Sequence, residues 1–273
     1  MRELLPLGLL AAVAALYAVG WFRLDRRASR RTRRRRAVHA LAFLGGVAIL
    51  AVALSPPVDE LADASVAAHM GQHLALLVAA PPLLVLAEPL SAFATGLPRR
   101  LRPALGTGAG VLTGRGIGVA TTVVATEVHV GLMVLWHTPP LYDAAQSGEL
   151  IHALEHATFL ASGLWFWSCL VRLARRGARG CAIALGATIA ASAQSAVLGI
   201  LLTLSATPWY DVEGSTPFGL TPLADQQAAG AEMWVVAGGI YVIAAGVLAA
   251  GIVRDPARPA ALAVDTRGGP DAV

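Results

Sequence analysis

The chain has 273 residues, of which 56% are hydrophobic and only 14% charged, with a mean hydropathy of +0.63. A water-soluble domain of this size rarely carries so little charge, so the composition excludes most soluble folds and points to a membrane protein. All 21 basic residues are arginine, and nine of them fall between Arg23 and Arg36. The pI near 9.7 therefore reflects local clusters, and no nucleic-acid partner is expected from it.

Apolar runs recur that are long enough, at about 1.5 Å per residue, to cross a hydrocarbon layer about 30 Å thick. Seven are expected, at approximately 4–22, 37–55, 66–88, 117–136, 149–170, 181–204 and 230–252. They read as helices, because backbone polar groups in lipid must be satisfied within the segment and no alternating barrel pattern is present. The first run reads as a retained helix and not a signal peptide. Arg2 is offset by Glu3, the run is long, and the Arg23 to Arg36 block is the wrong flank for a translocated start. The predicted architecture is an all-α, seven-helix transmembrane bundle over residues 1–253, with a disordered tail over 254–273.

The arginines set the expected orientation. With the N-terminus outside, the loops at 23–36, 89–116 and 171–180 and the tail after 252 hold 20 of the 21 arginines on the cytoplasmic side, leaving Arg2 outside. The opposite loops carry Asp59, Glu60, Asp63, Asp143, Asp211, Glu213 and Asp225. The Arg23 to Arg36 block reads as a topology anchor on anionic lipid or as a docking site for an acidic partner. The loop from Arg99 to Gly116, with Pro103 and five glycines, reads as a flexible cytoplasmic connection. Cys169 and Cys181 match no disulfide, zinc or haem-attachment spacing and read as packing residues.

Ionisable groups inside spans are costly and are candidates for function. Six of the seven histidines fall toward the outer side: His69 and His73 open the third helix, His152 and His156 open the fifth, and His137 closes the fourth. His129 is eight residues back from His137, roughly 12 Å deeper. His39 alone falls at a cytoplasmic end, where an interfacial role suffices. Each i, i+4 pair puts two imidazoles on one helical face, within reach of a shared ion. Two such pairs at one depth, with His137, favour metal or cofactor ligation over a purely structural polar network.

Met70 falls inside the first pair, and Glu232 and Met233 fall one to two turns into the seventh helix, just after Asp225, Gln226 and Gln227. Thioether beside imidazole suits Cu(I), whereas imidazole with carboxylate suits zinc or Cu(II). Met70 and Met233 also read as packing residues. Asp225 reads as a helix cap or a partner orienting a histidine as readily as a ligand. Glu127, near the middle of the fourth helix, needs a polar partner such as Thr126 or a histidine, or a bound proton.

The stretch His69-Met-Gly-Gln-His73 followed by Ala80-Pro-Pro82 resembles the CtaG family of cytochrome c oxidase assembly factors. So do Trp136-His-Thr-Pro-Pro-Leu-Tyr142, His152-Ala-Leu-Glu-His156 leading through Phe159 to Leu164-Trp-Phe-Trp167, and Asp225-Gln-Gln-Ala-Ala-Gly230 with Met233-Trp234. In order and spacing these cover roughly residues 60–250. The resemblance implies an integral membrane protein of the bacterial cell membrane that helps deliver or insert copper at an oxidase's copper B centre from the outer side. It carries over to His69, His73, His137, His152, His156, Asp225 with Gln226, and Met233. His129 and Glu127 fall outside the matched motifs and rest on position alone. Where the family has a Gly-rich stretch after Asp-Gln-Gln, this chain has Ala228-Ala-Gly-Ala-Glu232, which bears on how closely the seventh helix packs.

Two other function classes stand beside this one. His152-x-x-Glu155-His156 is formally the inverted zinc-protease signature, in which two histidines bind Zn²⁺ and Glu155 activates water. Paired histidines on facing helices also suit haem. Against zinc hydrolysis stand the surplus of histidines and the nearby methionines. Against stacked haems stands the position of both pairs near one surface. The sequence reading is a non-enzymatic copper-binding assembly factor whose partners are an oxidase subunit, or another copper-receiving protein, and the lipid bilayer. Its candidate ligands are His69, His73, His137, His152, His156, His129, Met70, Met233, Asp225 and Glu155.

Overall fold

A computed structural model describes residues 5–26, 29–103, 117–210 and 216–254. Among these the chain forms helices and no strand. In order they are α1 (Leu5–Asp25), α2 (Arg30–Ala53), the short α3 (Pro56–Ala64), α4 (Val66–Leu86), the short α5 (Leu90–Gly96), α6 (Val119–Trp136), the short α7 (Pro139–Ser147), α8 (Glu149–Ala174), α9 (Ala178–Leu204) and α10 (Pro222–Arg254). The seven long ones are sufficiently long and apolar to cross a membrane. Large apolar side chains such as Leu9, Val52, Val123, Leu201 and Val242 point outward, as lipid requires, while Phe43, Phe159, Phe166, Leu76 and Leu202 are enclosed.

Local chemistry moves several helix boundaries away from where apolarity alone puts them. The second helix begins at Arg30 and not near 37, because Ser29 caps it through Thr32 N at 3.4 Å and arginine is a good helix former. The seventh span begins at Pro222 and not at 230. Thr221 accepts from Ala224 N at 3.2 Å and Pro222 takes the first turn, so Asp225, Gln226 and Gln227 lie inside the helix. A hydropathy reading cuts this helix at its polar first turns. The expected tail from 254 lies outside the described residues apart from Arg254, which ends α10. The same holds for residues 104–116 of the Gly-rich loop and for Asp211 and Glu213.

The third span is not a uniform helix. Residues Val66–Leu74 are α-helical, Ala75–Ala79 widen into a π turn, and Ala80–Leu86 continue as α-helix through Pro81 and Pro82. Proline lacks an N–H and collides with the carbonyl four residues back, so Pro81 leaves the Leu77 carbonyl free. The Trp167 indole of α8 donates to that carbonyl at 3.2 Å. Gly163, one turn earlier on α8, permits the approach. A Cβ there would lie 2.9 Å from Leu77 O and from Pro81 Cγ. This contact locks α8 against α4 two turns from Glu155, and so sets the distance between the two histidine pairs.

The two ends of the bundle differ in chemistry. At one end Arg23 donates to the Thr95 and Gly96 carbonyls, Arg176 donates to Ile117 O, and Glu88 pairs with Arg175, with Arg35 at 3.7 Å and with His39 at 4.0 Å. The other end holds α3, α7 and the histidines other than His39 and His129. There Asp225 of α10, fully buried, accepts from Ser65 Oγ at 2.8 Å and from Val66 N at 2.6 Å. Ser65 is the cap of α4, accepting from Ala68 N at 3.2 Å, and Asp225 anchors that cap and takes the Val66 N–H, which ties the start of the seventh span to the start of the third.

Candidate metal centre

The site grows from two i, i+4 pairs on adjoining helices. His69 and His73 occupy successive turns of α4, with ring centroids 4.2 Å apart, and His152 and His156 do the same on α8, also at 4.2 Å. Packing of α4 on α8 faces the pairs toward each other. His69 stacks on His152 at 5.5 Å, and His73 meets His156 edge-on at 5.8 Å. Glu155, one residue before His156, projects into the space between them and is 0% exposed. Its carboxylate oxygens lie 3.4 Å from His73 Nε2 and 3.7 Å from His69 Nε2.

These groups lack the partners that burial demands. Both nitrogens of His69 and His73, Nε2 of His152 and of His156, and both Glu155 oxygens make no hydrogen bond, although each atom is buried. An unmade buried hydrogen bond costs about 1–3 kcal/mol. So many buried lone-pair atoms at one point make the cluster a candidate site for something that accepts lone pairs. The residue types fit a metal ion: neutral imidazole and carboxylate in sets whose ligand atoms lie within 4.8 Å of one another.

His137 completes one wall. Its Nδ1–H donates to Met133 O at 2.6 Å, which fixes the tautomer and leaves the Nε2 lone pair 2.8 Å from Met70 Sδ. No hydrogen separates those two soft donor atoms. Burial pushes the His137 pKa down to about 4, against the opposing effect of the Met133 carbonyl, so the ring is neutral near pH 7. The His137 and His73 rings lie 5.5 Å apart. The ceiling is aromatic. Tyr142 of α7 packs 5.1 Å from His69 and stacks at 3.9 Å on Tyr210, whose hydroxyl donates to His137 O at 3.0 Å. Burial raises both phenol pKa values, so both stay neutral.

Of the sequence candidates, the structure therefore brings together His69, His73, His137, His152, His156, Met70 and Glu155. The others sit apart. His129 lies deeper, with Nε2 3.0 Å from the Tyr241 hydroxyl and its ring stacked on Phe166 at 4.7 Å. Asp225 anchors the Ser65 cap of α4. Met233 packs at the crossing of α9 and α10, where Gly199 and Gly230 meet so closely that a Cβ on Gly230 would lie 2.5 Å from Gly199 O. The crossing is tight despite the alanines around Gly230. Glu127 faces outward from the middle of α6, and the hydroxyl of Thr126 donates to Thr122 O and not to Glu127. Glu232 lies against Gly71 of α4, beside a cavity of about 560 Å³ that Gln72 and Phe218 also line.

Sequence reasoning passed over the second layer. Phe159, whose ring is 4.6 Å from His73, and Tyr142 lie within the quoted motifs but carry no titration or ligand signal near neutral pH. Gln72, which donates to Ala53 O and Asp59 and so orients the turn between the two histidines, was legible only as a polar residue inside a span. Tyr210 had no signal at all.

The fold and site thus define a helical membrane protein with a buried, partner-deficient histidine and carboxylate cluster at the end of the bundle opposite its arginines. The family model for the cytochrome c oxidase caa3 assembly factor (Caa3_CtaG) matches residues 15–255, nearly the whole chain, and the protein belongs to that family. No curated protein and no solved structure matches the chain.

Proposed function

We propose that the protein binds copper, as Cu(I), at the His69, His73, His152, His156 and Glu155 cluster with His137 and Met70, and passes it to an oxidase subunit for the copper B centre. The observation that carries this reading is the convergence of buried, unpartnered imidazole and carboxylate atoms in a member of an oxidase assembly family. The soft His137 and Met70 pair favours Cu(I). Copper is cargo here. The chain's own part is to present neutral nitrogen lone pairs, to exclude water with Tyr142, Phe159 and Tyr210, and to permit ligand exchange at the more exposed His152 and His156. By the arginine asymmetry the site faces the outer side of a bacterial cell membrane, and the arginine end is cytoplasmic.

The test is metal analysis of the purified chain in detergent after anaerobic Cu(I) loading, with an absorption spectrum. Retained copper is the expected result. Stoichiometric zinc without copper binding, or a Soret band, overturns it in favour of the hydrolase or haem readings. His73→Ala and His152→Ala should each lower the copper content while the protein stays folded. Undiminished copper in both variants removes the site.

A further inference from the structure

We propose that the cluster holds two Cu(I) ions, with Glu155 as a carboxylate bridge between an inner position made by His69 and His73 and an outer position made by His152 and His156. This rests on the copper reading above and deepens it from a ligand pool to a two-ion site. The ligand atoms do not form one set. They form two, His69 with His73 and Glu155, and His152 with Glu155 and His156, each within 4.8 Å, and Glu155 is the member both share. Nitrogen and oxygen ligands sit about 2.0–2.2 Å from such a metal, so two ligands of one ion stand at most about 4.4 Å apart. The separations of 3.4 and 3.7 Å between Glu155 and the inner imidazoles meet this limit. A carboxylate has two oxygens and about four lone-pair sites, and neither Glu155 oxygen has a hydrogen-bond partner, so it can serve both sets.

Charge decides the oxidation state. Glu155 is the one carboxylate in either set, and neutral imidazoles add nothing. Two monovalent ions leave the buried centre near +1, whereas two divalent ions leave it near +3, and uncompensated buried charge is strongly unfavourable. The ligand set alone tolerates zinc or Cu(II), but the burial of Glu155, His69 and His73 selects the monovalent ion.

Burial also distinguishes the two positions. His69 is 0% and His73 2% exposed, while His152 and His156 are partly exposed. The outer ion is the exchangeable one, and the inner ion reaches it by changing ligands across Glu155 without leaving the protein. No electron is transferred, and each ion keeps Cu(I) throughout.

Anaerobic Cu(I) titration of the purified full-length chain against a chromophoric Cu(I) chelator tests the inference, with copper X-ray absorption on the loaded protein. The expected result is two Cu(I) per chain with a copper to copper scattering path. The His69→Ala/His73→Ala and His152→Ala/His156→Ala variants should each retain one Cu(I), and Glu155→Gln should lose the scattering path. One Cu(I) per chain in the unmodified protein, with no such path, overturns the two-ion site and leaves the copper reading standing. No Cu(I) binding at all overturns both. The stoichiometry and the scattering path are read on the unmodified protein, so they decide the matter even where a double variant does not fold.

Discussion

The two ends of the bundle handle polar groups in opposite ways. At the arginine end the carboxylates pair with cations: Asp25 Oδ2 faces Arg33 at 3.5 Å while its Oδ1 makes no hydrogen bond, and Glu88 faces Arg35, Arg175 and His39. Most of these side chains are partly exposed, and several arginines close off helix-end carbonyls. At the histidine end His69, His73 and Glu155 are enclosed, and their side-chain N and O atoms, with Nε2 of His152 and of His156, make no hydrogen bond. The first arrangement is what a membrane protein needs to be anchored and oriented. The second is costly as architecture alone, since apolar residues in the same space would leave no buried polar atom without a partner. Ionisable residues are thus abundant at both ends, but cation pairing dominates one and enclosed, unpartnered imidazole the other.

Several measurements would break or sharpen this contrast. The largest effect is expected at the histidine end itself, where His73→Ala should remove copper from the inner position without loss of fold, read by metal analysis alongside gel filtration. Asp225→Ala should act on stability instead. It strands the Ser65 hydroxyl and the Val66 N–H in a buried setting and frees the Ser65 cap of α4 from its anchor, a loss of about 2–4 kcal/mol in chemical or thermal unfolding. An unchanged unfolding midpoint would mean that α4 does not depend on α10 for its start.

Acid should weaken the metal-free protein through His137. Its folded pKa of about 4 lies below the ordinary 6.5, so the unfolded chain binds the extra proton first and stability falls as pH drops from about 6.5 toward 4. Thermal melts across that range check the sign, and His137→Gln should lessen the dependence. Gly163→Ala should cost about 1–3 kcal/mol by forcing α8 off the π turn of α4, and should lower copper affinity as well because the two pairs move apart. At the arginine end the effect should be smallest. Arg35→Gln removes a largely exposed ion pair worth less than about 1 kcal/mol and should leave copper binding unchanged. A loss of copper in that variant would erase the functional distinction between the ends.

Much of this was legible in one dimension. The seven spans follow from runs of local apolarity, and the i, i+4 spacing of His69 with His73 and of His152 with His156 follows from helix periodicity. The family motifs already contained the residues that meet. Boundaries were less legible where polar residues belong to a helix for reasons of capping, as at Arg30 and at Pro222 to Gln227. Roles were least legible where they depend on a partner far along the chain. Asp225 looked as readily like a cap or an orienting partner as a ligand, and only contact with Ser65 and Val66, some 160 residues away, makes it the anchor of the start of α4.

The sequence by itself determined the solvent of this protein, the number of its spans, the segregation of its arginines and the helical face of each histidine pair, because all of these depend on near neighbours in the chain. Tertiary structure decided that α4 and α8 meet, through a proline-freed carbonyl at Leu77, the indole of Trp167 and the bare backbone of Gly163. It decided, too, that Glu155 stands between both pairs while His129 and Met233 stand elsewhere. The physical reason is that side-chain periodicity fixes direction within one helix, whereas which faces share a cavity depends on interhelical distance, and that is set by steric contacts between residues far apart in sequence.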